Sequence, residues 1–126
     1  GPRTIYLVYV LMANVYKVVP ILIDVTTANQ DVYEVPTATT SIIRSISVYN
    51  TDSSTMDVTL FVYDTSATTR FTYDFKSALA ATTKFEFLNS SNSTLLVLEE
   101  ADKLQVTCGS TGGLNLIVSV LEMSRT

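Results

Sequence analysis

The sequence contains no histidine, no tryptophan and a single cysteine in 126 residues. Histidine is the commonest general base and the commonest metal ligand in proteins, so its absence removes the usual centre of a catalytic triad or a zinc site. One cysteine allows no internal disulfide. We therefore expect a protein that is not an enzyme, needs no cofactor or metal, and folds around a hydrophobic core.

Charged residues are also scarce, at 16% of the chain, whereas hydrophobic residues make up 47% and the mean hydropathy is +0.30. Such a chain is able to fold, and we expect neighbouring subunits to cover part of its exterior. The net charge is −4, and the eight basic residues are scattered along the sequence. A nucleic-acid partner is not expected, because affinity for phosphates needs grouped Lys and Arg.

Apolar residues alternate with polar ones along most of the chain, which is the pattern of strands with one buried face. In the last such segment Leu114, Leu116, Val118 and Val120 share one side. Turn-forming clusters separate the segments at intervals of roughly ten residues, as in β-sandwiches and barrels. The predicted strands are 17–25, 31–35, 42–50, 56–64, 71–75, 85–88, 95–98, 104–108 and 114–122.

These strands predict an all-β protein whose single domain, residues 14–126, is an antiparallel β-sandwich of jelly-roll type. Residues 1–13 are predicted to form an N-terminal β arm or an extra strand. One short segment, 76–81 (KSALAA), is compatible with a helical turn, and 109–113 (GSTGG) predicts a tight hairpin. The predicted core residues are Ile46, Val48, Val58, Leu60, Val62, Leu104, Val106, Cys108, Leu116, Val118 and Val120.

Residues 5–13 (IYLVYVLMA) form a continuous apolar run without alternation. The run is too short to span a bilayer and lacks the small-residue cleavage pattern of a signal peptide, so no membrane partner is expected. Because such a strand needs cover on both sides, we expect it to pack against an adjacent subunit or another partner protein. The alternative is that it forms the first buried strand of its own sandwich. The candidate interface residues are Ile5, Tyr6, Leu7, Val8, Tyr9 and Val10.

Carboxylates are the remaining candidates for a chemical site. Glu99, Glu100 and Asp102 cluster after the predicted strand 95–98, and oxygen ligands of this kind bind calcium. A charged turn between two strands is the favoured interpretation, since charge also discourages pairing between sheet edges. A looser acidic group, interpreted as solvated, consists of Asp24, Asp31 and Glu34.

Three blocks of the sequence carry a resemblance to a known family. They are 35–51 (VPTATTSIIRSISVYNT), 96–106 (LVLEEADKLQV) and 114–122 (LNLIVSVLE). In this order they resemble small virion structural proteins of tailed bacteriophages, which occur as capsid-decoration and as tail or neck accessory components. Ala38 and Ala101 stand where the family often has glycine in a turn.

The resemblance implies a scaffold located in the virion that self-associates, as a trimer, and contacts other virion proteins on the capsid or at the neck or tail. It implies no catalytic residues. The alternative is a carbohydrate- or host-surface-binding module of a tail fibre or spike, which would use some of the seven Tyr and five Phe. Because most of these aromatics lie in predicted strands and tryptophan is absent, packing is the favoured interpretation.

Overall fold

Segments with alternating apolar side chains form the regular structure of this protein. The computed structural model describes residues 14–24, 30–89, 91, 95–108 and 113–125, with only the backbone for 19–24. These parts of the chain contain nine strands and no helix. The strands are β1 (Asn14–Asp24), β2 (Gln30–Glu34), β3 (Thr39–Asn50), β4 (Met56–Asp64), β5 (Thr69–Leu79), β6 (Lys84–Leu88), β7 (Leu96–Leu98), β8 (Lys103–Cys108) and β9 (Gly113–Ser124).

Two antiparallel sheets pack face to face. The front sheet has the order β1-β9-β3-β6. Both β6 and β7 pair with β3, β6 with its residues 46–49 and β7 with its residues 41–43. The back sheet has the order β2-β8-β4-β5. Counting β6 and β7 as one interrupted strand gives two four-stranded sheets whose chain order is that of a jelly roll. The predicted all-β antiparallel sandwich is confirmed.

The core lies between the sheets and is built from the inward positions of each strand. Alternation explains which residues these are, since every second side chain of a strand points to the same face. The predicted core residues are buried, with two exceptions. Val62 and Cys108 are partly exposed and pack against the core, because each lies near the end of its strand, where fewer neighbours cover it.

The helical turn predicted for 76–81 is wrong. Lys76 opposes Val58 and Leu79 opposes Met56, so this segment continues β5 to Leu79. A bulge near Ala78 lets its N–H donate to Oδ1 of Asp57 at 2.8 Å. Pairing with β4 and burial of Leu79 outweigh the local helix propensity of the alanines.

The tight hairpin predicted for 109–113 is also wrong. The strands on either side of this segment, β8 and β9, belong to opposite sheets and do not pair with each other. The connection therefore crosses from the back sheet to the front sheet. Gly113 itself begins β9, and an added Cβ there would lie 1.9 Å from Oγ1 of Thr51, so only glycine allows this close approach.

Candidate assembly surface

The described chain begins at an edge strand of the front sheet. β1 begins at Asn14 and, within the described chain, pairs only with β9. The structure does not describe the candidate interface residues Ile5, Tyr6, Leu7, Val8, Tyr9 and Val10. Their role as an interface therefore stays a prediction, and the described surface nearest to their point of attachment is the front sheet.

Four apolar residues form a row across the front sheet, on the side that faces away from the core. Tyr16 on β1 lies opposite Leu121 on β9, Leu121 opposite Ile42 on β3, and Ile42 opposite Val97 on β7. Their chain neighbours, such as Val120, point into the core, so alternation places these four on the outer face. We call Tyr16, Leu121, Ile42 and Val97 the apolar row.

The apolar row is open at both ends and covered at its centre. Tyr16 is 69% exposed and Val97 56% exposed, whereas Leu121 is 8% exposed although it does not belong to the core cluster. Val18 and Ile117 are also large, apolar and exposed, and extend the apolar area to neighbouring rows.

Hydroxyl groups border the apolar row on one side, and on the other side Thr40 accepts a hydrogen bond from Arg125 at 2.6 Å. Ser119 and Ser45 lie opposite each other in the adjacent row. The outward residues of β9 carry no charge; they are Asn115, Ile117, Ser119, Leu121 and Met123. On β3 the exposed Arg44 occupies a bulge between Ile43 and Ser45. Such a surface suits a protein contact, because hydroxyl groups avoid the desolvation cost of buried charges.

Two aromatic residues on the outer face of the back sheet have cationic partners. The guanidinium of Arg70 lies 4.8 Å from the ring centre of Phe61. The ammonium group of Lys103 lies 5.8 Å from the ring centre of Tyr63. Cation–π contacts of this kind occupy one face of each ring. On β5, however, Phe71 and Phe75 are about half exposed, so the back sheet also carries exposed apolar surface.

The loose acidic group is divided by the structure. Nζ of Lys103 lies 3.4 Å from Oδ2 of Asp31 and 3.8 Å from Oε1 of Glu34, which links β8 to β2. Asp31 also accepts a hydrogen bond of 2.7 Å from Nε2 of Gln105. These two acids serve the outer surface of the back sheet, and the side chain of Asp24 lies outside the described residues.

Asp102 organises the turn between β7 and β8. Its Oδ2 accepts a hydrogen bond of 2.9 Å from the N–H of Glu99, and its Oδ1 accepts one of 3.2 Å from the N–H of Thr65. The carboxylate thereby joins this turn to the turn between β4 and β5.

Glu100 connects the same turn to the segment before β3. Its Oε1 accepts a hydrogen bond from the N–H of Ala38 and lies 3.5 Å from Nη2 of Arg125. Arg125 in turn donates its own N–H to the carbonyl of Ala38 at 2.7 Å. Among the described residues no group of three or more acids or cysteines is arranged to hold a metal ion. The predicted charged turn thus acts as a hydrogen-bonded clamp.

A buried polar cluster links the two sheets. The Tyr33 hydroxyl donates to Oε2 of Glu122 at 2.5 Å and lies 2.8 Å from Oγ of Ser41. Nζ of Lys17 lies 3.0 Å from the same Glu122 oxygen. Burial, together with the hydrogen bond to Glu122, raises the pKa of Tyr33 above its ordinary range. The phenol therefore stays protonated, as a donor that ties β2 to β9.

Sequence reasoning missed this cluster, although one signal was present. Glu122 follows Leu114, Leu116, Val118 and Val120 at the same two-residue spacing, so alternation predicts a carboxylate at a buried position. Its partner Tyr33 lies 89 residues away and could be found only from the fold.

Cys108 is partly buried against the core. Burial raises the pKa of its thiol to about 11, which leaves little of the nucleophilic thiolate at neutral pH. The prediction of a core thiol is confirmed in part, since the side chain is not fully enclosed.

Comparisons with known proteins inform the fold. No family model matches the chain, and no curated protein matches it. A chain of the T13 particle of infectious bursal disease virus is 7% identical, with a TM-score of 0.50, and the alignment covers 92% of this chain and 36% of that one. The present chain thus spans about a third of its length.

Two further solved structures have TM-scores below 0.5, which is too low a similarity to support a conclusion about this protein. One is a virus-like particle of the extra small virus of the prawn Macrobrachium rosenbergii, with 12% identity, a TM-score of 0.43, and coverage of 87% of this chain and 79% of that one. The other is a Bacillus endospore appendage of a family of disulfide-linked pili, with 10% identity, a TM-score of 0.44, and coverage of 90% and 89%.

In the described ranges no helix is long and apolar enough to cross a membrane. At identities this low a structural likeness shows the fold alone. The strand order and the first comparison agree that the chain has a β-sandwich fold.

Proposed function

We propose that this protein is a non-enzymatic structural subunit of a virus particle, and specifically of a tailed bacteriophage. It assembles with copies of itself and with other virion proteins, as decoration of the capsid or at the neck or tail. The observation that carries the proposal is the outer face of the front sheet. There the apolar row crosses four strands of an acidic chain without an outward charge on β9.

Physical chemistry supports self-association through such a face. Copies that each carry a net charge of −4 repel one another, and the repulsion is weakest where the contacting surfaces are neutral. Exposed apolar side chains such as Tyr16 and Val97 favour contact through the hydrophobic effect. The absence of histidine from the sequence agrees with a mechanical role.

The alternative, a carbohydrate- or host-surface-binding module of a tail fibre or spike, finds less support. Phe71 and Phe75 are half exposed, but Phe61 and Tyr63 each have a cation over one face, and the sequence has no tryptophan for stacking on a sugar. Binding to a glycan array at micromolar affinity would favour this alternative over a purely structural role.

The proposal is tested on the full chain and on the particle. Multi-angle light scattering across a concentration series should give a mass above that of one 13.8 kDa chain, and a trimer if the family resemblance extends to assembly. A cryo-EM map of the purified phage should contain the sandwich on the capsid, neck or tail. A monomer at every concentration, together with no such density, would refute the proposal.

A further inference from the structure

We propose that the apolar row is the docking site for residues 5–10 of a second copy of this chain. The inference rests on the self-association proposed above and specifies its receiving surface. The six residues, IYLVYV, contain no charged side chain, and neither does the row of Tyr16, Leu121, Ile42 and Val97. Segment and surface are therefore alike in chemistry, and contact between them leaves no charge unpaired.

The dimensions of the row fit a short extended segment. Neighbouring strands lie about 4.8 Å apart, so a row across four strands is roughly 14 Å long. Six extended residues span about 20 Å and can therefore reach from one exposed end of the row to the other. The backbone of such a segment needs hydrogen-bond partners, and the hydroxyls of Ser119 and Ser45 lie in the adjacent row. The row thus offers apolar contact beside polar groups.

The sequence favours the arm of a neighbour over the chain's own arm. Asn14 lies opposite Met123, next to the last residue of β9, so β9 offers almost no further pairing to the residues before Asn14. To lie on its own sheet, the arm would have to reverse direction within residues 11–13. These residues are Leu, Met and Ala, and the whole run 5–13 lacks the Gly, Pro, Asn, Asp or Ser that tight turns use. A segment that continues outward reaches a second copy.

Charge substitution on the row tests the docking surface. Val97→Glu would place a carboxylate in the contact, while Thr72→Glu adds the same charge on the exposed outer face of the back sheet. In sedimentation velocity we expect Val97→Glu to weaken association of the full chain by at least about tenfold. Thr72→Glu should leave it within about twofold. Equal effects of the two substitutions would overturn the inference while leaving self-association intact.

Removal of residues 1–11, alone and combined with Val97→Glu, gives a double-mutant cycle. The truncation leaves every strand of the described fold in place, because β1 begins at Asn14. If the arm occupies the row, the truncated chain loses association, and Val97→Glu adds little further loss. Full additivity of the two losses would show that arm and row act at separate sites and would overturn the inference.

Disulfide trapping identifies which copy supplies the arm. In a Cys108→Ala background, Leu7→Cys combined with Val97→Cys should give covalent dimers or larger species after mild oxidation. Leu7→Cys combined with Thr72→Cys is the matched control. Trapping within one chain would assign the row to its own arm, and equal trapping with the control would show no preference for the row. Either result overturns the inference, and a wild-type chain that stays monomeric refutes the proposed self-association itself.

Discussion

The hydroxyl of Tyr33 on β2 donates a 2.5 Å hydrogen bond to Oε2 of Glu122 on β9, so one buried contact joins the two sheets. Because this hydroxyl has one proton and gives it to Glu122, Ser41 must be the donor in its own contact with Tyr33. The cluster therefore has a fixed direction of hydrogen bonding.

Removal of the Tyr33 hydroxyl should destabilise the fold. Tyr33→Phe leaves the buried Glu122 without one donor and Ser41 without its acceptor, and we expect the free energy of unfolding to fall by about 1–3 kcal/mol. Urea unfolding followed by circular dichroism measures the loss. Tyr63→Phe, at a partly exposed ring on the back sheet, is the matched control and should change stability by less than about 0.5 kcal/mol. Equal midpoints for the two variants would contradict the role of the cluster.

Substitution of two consecutive residues of β9 should show that one side of this strand belongs to the core and the other to the surface. Leu116 is completely buried, whereas Ile117 points outward and is 44% exposed. Leu116→Ala should cost roughly 2–5 kcal/mol of unfolding free energy, since it leaves a cavity. Ile117→Ala should cost well under half of that in urea unfolding at low protein concentration. A Leu116→Ala shift within measurement error would show that this face is not core.

The strands and most of the core could be predicted because alternation is a local signal. β4 was placed at its observed bounds for this reason. Sheet membership could not be predicted, because it depends on pairing between distant segments. The apolar row shows this limit. Alternation assigns Leu121 to the side of β9 opposite Val120, but its neighbours Tyr16, Ile42 and Val97 follow only from the register of three other strands. The same lack of long-range information produced the wrong hairpin at 109–113.

Glycine at two turn positions should stabilise the protein. Ala38 has φ 54° and Ala101 has φ 69°, both in the left-handed region that glycine prefers. A Cβ in this conformation costs about 1–2 kcal/mol of stability, which glycine removes. Glycine also makes the unfolded chain more flexible, which lowers stability by about 0.4–1 kcal/mol. We expect Ala38→Gly and Ala101→Gly each to raise stability by up to about 1 kcal/mol in urea.

Ala80→Gly is the control for these turns, because Ala80 does not have a positive φ. It should lower stability by roughly 0.4–1 kcal/mol. Equal destabilisation of all three glycine variants would contradict backbone strain at Ala38 and Ala101.

The Cys108 thiol should make stability fall in mildly alkaline solution. Burial raises its pKa from 9.0 to about 11, so above pH 9 the unfolded chain releases this proton while the folded chain retains it. The folded state has its full stability with respect to this thiol below pH 9, and part of that stability is lost as the pH rises from 9 to about 11. Urea unfolding between pH 8 and 10 should therefore show a smaller decline for Cys108→Ala than for the wild type. Identical slopes would contradict the burial of the thiol.

Substitutions in the acidic turn between β7 and β8 can distinguish a role in hydrogen bonding from a role in cation binding. Oδ1 and Oδ2 of Asp102 accept the backbone N–H groups of Thr65 and Glu99, whereas the Glu99 side chain is exposed. A clamp made by hydrogen bonds depends on Asp102 alone, so Asp102→Ala should cost about 1–3 kcal/mol and Glu99→Ala less than about 0.5 kcal/mol. A calcium site would need both carboxylates, and the two variants would then lose similar stability. Thermal unfolding with and without chelator completes the test. We expect the same midpoint in both conditions, and a strong fall with chelator that both substitutions abolish would replace the clamp with a calcium site.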